Sequence, residues 1–133
     1  MTEPRHPPDD PREWLNRARS NLRLAAQHEP GIYLEELCFN AHQAAEKAIK
    51  GVFIFLRADF PYTHDLRELL DLLGRRLDVP ERVRQAQELT PFASRLRYPG
   101  HGKATTEEQY RQALAIADAV IGWAAQVMAK EGQ

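Results

Sequence analysis

Two arginines, a lysine, a histidine and a tyrosine crowd into the ten residues Ser94–Lys103. Pro99, Gly100 and Gly102 give that stretch loop character, and loops held by a rigid scaffold often carry function. Arg95 and Arg97 offer paired donors to a phosphate, and Tyr98 offers a ring for a base. His101 is of the type that moves protons near neutral pH. The plainer reading is a solvated basic loop with Tyr98 packed on the core. A second group, Tyr62-Thr63-His64-Asp65, stands at the head of a short leucine-rich segment. An imidazole beside exposed helix N–H groups suits an anion, although His64 also reads as a packing residue flanked by capping side chains. The third is a polar stripe, Gln43, Glu46, Lys47 and Lys50. Glu46 and Lys50 are spaced i,i+4 in the favourable order, worth a few tenths of a kcal/mol on a solvated face. Phe39 and Ile54 flank the stripe, so Lys47 reads either as solvated or as a cation in a partly enclosed groove, seeking an anion.

Other chemistries leave no trace. His6, His28 and His42 have no ligand spacing, and there is no zinc-type Cys pattern, Gly-rich phosphate loop or nucleophile elbow. No metal or cofactor is expected. The single Cys38 has no internal partner and reads as a small core residue.

The elements that must position these groups are helical. Leu37–Leu56 carries no Pro and is rich in helix formers. It belongs to a central helix from about residue 32 to 57. On a wheel, Ala41, Ala44, Ala45, Ala48, Ile49 and Val52 share one broad face. Phe39, Phe53 and Ile54 lie at the edges of the polar side or within it, which predicts burial on more than one side, as a central helix or as one shared with a partner chain. Before this helix, Asp10 and Pro11 predict the cap and first position of a helix carrying Trp14, Leu15, Ala18, Leu22 and Ala25. Its several arginines read as solubilising charge. Residues 1–9 read as a disordered Pro-rich segment. After the central helix, Thr63 reads as the N-cap of a third helix that carries Leu66, Leu69, Leu70, Leu72 and Leu73 and closes near Gly74 or Leu77. Pro80 opens a fourth, which Thr90-Pro91 should interrupt. Thr105 and Glu108 read as the capping box of a final helix ending near Lys130. No stretch alternates with period two, so the expected fold is all-α, a domain of about five helices with short connections over residues 10–130.

The 133 residues suffice for one domain with a real core. A net charge of −1 gives no global attraction for nucleic acid or membrane, so any such binding must be local. The N-terminus has no signal-peptide pattern, no apolar run is long enough for a membrane span, and a cytoplasmic protein is expected.

Three segments, in this order and spacing, resemble the HEPN domain ("higher eukaryotes and prokaryotes nucleotide-binding"): Phe39–Gly51, Thr63–Leu70 and Arg97-Tyr98-Pro99. The resemblance covers about residues 11–130. It implies an up-and-down helical bundle that commonly dimerises and is often encoded beside a minimal nucleotidyltransferase, the two forming a toxin–antitoxin-like module. Lys47, His64, Arg97 and Tyr98 match recurrent polar positions, implying a site for nucleotide or RNA phosphate in a dimer cleft. Some family members are metal-independent ribonucleases built on an arginine–histidine motif, and Arg95 and His101 have the matching spacing. The alternative is therefore an endoribonuclease toxin in which Arg95 or Arg97 stabilises the transition state and His101 transfers protons. In the best-known nuclease branch a tyrosine follows two residues after the histidine; here that position is Lys103.

Overall fold

The computed structural model describes residues 4–93, 99–100 and 102–131. They form α1 (Pro11–Ala25), α2 (Leu34–Phe55), α3 (Leu66–Leu73), α4 (Glu81–Arg84), a 3-10 segment (Gln85–Ala93) and α5 (Glu107–Glu131), with no strand among them. The fold is all-α, as expected.

Helix α2 is the axis, packed against α1, α5 and the 3-10 segment. Its small residues permit this. Ala41, Ala44, Ala45 and Ala48 are fully buried. Gly51 lies where α1 crosses, and a Cβ there would stand 3.0 Å from Trp14 Cβ and 3.2 Å from Met128 Cε. Ile49 and Val52 complete the core with Leu66, Leu69, Leu70 and Leu73 of α3 and with Val120 and Trp123 of α5. Helix α5 has the length and composition of a membrane span. Its Tyr110, Ala113, Ala117, Val120, Ile121 and Ala124 instead face the protein core. Tyr110 donates its hydroxyl to the Ala25 carbonyl at 2.7 Å, closing the end of α1 onto α5. Cys38 is buried, and desolvation pushes its thiol up to about 12, as befits a core residue.

The termini of the helices correct several readings. Asp10 does cap α1, accepting from Arg12 N with Pro11 behind it. Residues 4–9, which read as disordered, are tied to α1: Asn16 Nδ2 donates to the Pro4 carbonyl, Trp14 Nε1 to that of Pro8, and His6 N to Glu13. The cap of α3 is Asp65, which accepts from Arg67 N at 3.0 Å, while Thr63 Oγ1 accepts from Asp65 N just before it. The capping box of α5 is one residue later than expected. Thr106 and Gln109 exchange hydrogen bonds, and Thr105 N donates instead to Glu35. Past α4, Pro91 is accommodated by a 3-10 winding rather than by a kinked α-helix.

The end of α2 decides what the site becomes. Arg57 adopts a left-handed conformation, φ 55°. Its N–H bonds to Ile54 O, and that of Ala58 bonds to Phe53 O at 2.9 Å. This is the Schellman arrangement, usually made by glycine. It turns the chain back along α2, so that Phe60 packs on Phe53 and edge-on against Trp14. Phe53, expected to face a partner chain, is therefore covered from within. Phe39 and Ile54 are half-buried.

Candidate functional site

The returning loop 57–65 brings His64 down on α2. His64 Nδ1–H donates to Glu46 Oε1 at 2.8 Å, and Lys50 Nζ donates to Glu46 Oε2 at 2.9 Å. Both carboxylate oxygens are thus engaged. Lys50 also lies 5.4 Å from the centre of the Phe60 ring, a cation–π contact. Glu46 and Lys50 are only 5% and 7% exposed, so the pair expected on a solvated face is in fact interior. The cause is the Phe60–His64 loop, which the wheel for α2 alone does not contain.

His42, without an assigned role in the sequence, fastens the same loop. Its Nε2–H donates to the His64 carbonyl at 2.9 Å. Its Nδ1 accepts weakly from Gln43 at 3.4 Å. Burial holds its pKa below the ordinary value, and a carbonyl acceptor requires the proton on Nε2. Thr90 Oγ1 accepts from Leu66 N at 3.3 Å, joining the 3-10 segment to the same corner.

Lys47 lies one residue and about 100° round the helix from Glu46. It reaches the other way, to α1, and donates to Asn21 Oδ1 at 2.7 Å. Asn21 in turn donates to Asn40 at 3.1 Å. Desolvation first, and then the nearby Arg17 cation, lower the Lys47 pKa. Arg17 is itself held by Glu13 at 2.6 Å. Two nearby carboxylates, Glu13 and Glu46, are therefore engaged, the first by Arg17 and the second by Lys50 with His64. Lys47, half-buried, has a neutral amide for its hydrogen bond. A desolvated cation so placed favours an incoming anion. Sequence alone does not mark Asn21 and Arg17 as neighbours of Lys47, because their approach depends on the crossing of α1 over α2.

Lys47 and His64 thus flank one strip of α2, from the α1 side and the loop side respectively. Arg95, Arg97, Tyr98 and His101 lie outside the described residues. On either side of that stretch, Ala93 ends the 3-10 segment and Thr105 N donates to Glu35 in the first turn of α2. Among the described residues no group of His, Cys, Asp and Glu side chains has the arrangement of a metal site. A groove of about 750 Å³ between Leu56, Leu77, Trp123 and Val127 contains none of these polar residues.

The chain matches the model of the HEPN domain over residues 11–128. No curated protein matches it. Among solved structures it is similar to TT1696 from Thermus thermophilus, with 31% identity and a TM-score of 0.72, over 88% of this chain and 97% of that one. It is also similar to ST0689, described as an archaeal HEPN homologue, with 25% identity and a TM-score of 0.71, over 89% and 98% of the two chains. A family match across nearly the whole described bundle, together with relatives that share its helical fold, means that the chain belongs to the HEPN domain family.

Proposed function

We propose that this HEPN domain binds the phosphate of a nucleotide or RNA on the strip of α2 between α1 and the His64 loop. The observation that carries the reading is Lys47: a half-buried ammonium hydrogen-bonded to an amide, beside Arg17, with the neighbouring carboxylates engaged elsewhere. Arg97 is the second phosphate ligand and Tyr98 the stacking or hydrogen-bonding side chain, as the family resemblance implies. His64 orients the loop beside them. The chain works in the cytoplasm as a homodimer, with the cleft between protomers as the binding site. Its partner is a minimal nucleotidyltransferase in a two-component, toxin–antitoxin-like module.

The test is calorimetric titration of the whole chain with a short single-stranded RNA. Wild-type protein binds, and Lys47→Ala and Arg97→Ala each lower the affinity about tenfold or more, the scale of one charge-assisted hydrogen bond. Unchanged affinity in both variants overturns the reading. Incubating the same RNA with EDTA-treated protein, beside a His101→Ala variant, tests cleavage. Cleavage that survives EDTA and disappears in the variant would make the protein a metal-independent ribonuclease centred on Arg95 and His101.

A further inference from the structure

Tyr62 is 94% exposed, more than Tyr33 at 77%. It is not on a free strand of chain. Pro61 precedes it, Thr63 Oγ1 accepts from Asp65 N, the His64 carbonyl is held by His42, and Leu66 N by Thr90. Its ring meets the His64 ring edge-on, 5.9 Å between centroids. The phenol therefore projects into solvent from a loop fastened at several points.

The His64 ring is equally defined. Because Nδ1–H is donated to Glu46, the neutral ring carries its lone pair on Nε2. That nitrogen belongs to a side chain 53% exposed. An acceptor nitrogen on a half-exposed ring held in a fixed orientation suits a hydroxyl donor. A flat aromatic face suits a nucleobase, and stacking of this kind tolerates any base.

We infer that Tyr62 and His64 form a nucleoside subsite beside the Lys47 phosphate seat, Tyr62 stacking the base and His64 Nε2 accepting the ribose 2′-hydroxyl. Glu46 is the positioning residue that fixes the ring, and His42 holds the backbone beneath it. The subsite rests on the phosphate reading above and adds to it a selection for ribonucleotides over deoxyribonucleotides, made by a hydroxyl contact.

The experiment measures affinity of the whole chain for oligoadenylate and for its 2′-deoxy counterpart of equal length, at pH 8. Wild type binds the ribo form about fivefold or more tightly, the worth of a neutral hydrogen bond. His64→Ala binds both at the deoxy level. Tyr62→Ala weakens both about tenfold, and Tyr62→Phe restores them, since the ring rather than the hydroxyl does the stacking. Lys47→Ala weakens both alike and keeps their ratio. Equal wild-type affinity for the two oligonucleotides, or full affinity in Tyr62→Ala, overturns the subsite while leaving a Lys47-dependent phosphate seat intact. No binding of either oligonucleotide by folded wild type overturns the phosphate reading and the subsite together. Nitrogen-15 NMR of the His64 ring is an independent check: a proton on Nε2 rather than Nδ1 at pH 8 overturns the hydroxyl contact.

Discussion

The carboxylate of Glu46, on the central helix, lies 2.8 Å from Nδ1 of His64, on a loop eighteen residues further along the chain. The same carboxylate holds Lys50 at 2.9 Å, with both partners of that pair buried. Removing one member of a buried pair leaves the other charged and desolvated, which costs far more than the pair contributes on a surface. Glu46→Ala should therefore destabilise by about 3–5 kcal/mol, measured by urea unfolding. Glu46→Gln, which keeps an acceptor oxygen in the same place, should cost visibly less. A loss below about 1 kcal/mol in Glu46→Ala would mean that Lys50 escapes to water, as a surface pair would allow.

His42 supplies a dependence on pH. Burial lowers its pKa in the folded protein below the unfolded value of 6.5. The unfolded chain then binds the extra proton more readily, so stability rises with pH in this range. The contribution is fully present above 6.5 and is lost as pH falls toward the folded value. The groups facing the ring are Glu46, His64 and Lys50, so their charges enter the same balance. His42→Gln, which keeps a donor for the His64 carbonyl, should flatten the loss of stability between about pH 7 and 5. An unchanged slope in chemical unfolding across that range would assign the acid sensitivity elsewhere.

Gly51 is a packing residue. Alanine would improve helix propensity by about 1 kcal/mol in an open helix. Here its Cβ would meet Trp14 Cβ at 3.0 Å, an atom fixed directly to the α1 backbone. The two helices would have to separate, and overpacking of this kind costs about 1–3 kcal/mol. Gly51→Ala should thus lower the thermal midpoint, and Gly51→Val should lower it further. A rise in the midpoint would mean that α1 yields without cost.

Neighbouring threonines before α5 should behave differently. Thr106 Oγ1 accepts from Gln109 N at 3.1 Å and makes the cap, so Thr106→Ala should cost about 1 kcal/mol. Thr105 contributes its backbone N–H to Glu35, which alanine retains. Thr105→Ala should lie within about 0.5 kcal/mol of wild type. Equal losses in the two variants, by thermal unfolding, would contradict the cap register.

Much of this molecule follows from local sequence. The all-α class, the Asp10-Pro11 start of α1, the central position of α2 and its alanine face are consequences of periodicity and capping chemistry, which act over a few residues. Placing the α3 cap at Asp65 rather than Thr63, or the α5 box at Thr106 rather than Thr105, needed the backbone path, because adjacent polar residues offer nearly equal caps. The polar site was less legible. Lys47 and His64 stand out by type and by family resemblance, but Glu46 and Lys50 read as a solvated pair. Their burial is decided by Arg57, a non-glycine residue in a left-handed turn, which sends Phe60 and His64 back over α2. Asn21 and Arg17 reach Lys47 because α1 crosses α2 there. Helix formation is set by neighbours in sequence. Which polar groups lose water, and which then need a charged partner, is set by contacts between distant segments, and that only the tertiary structure decides.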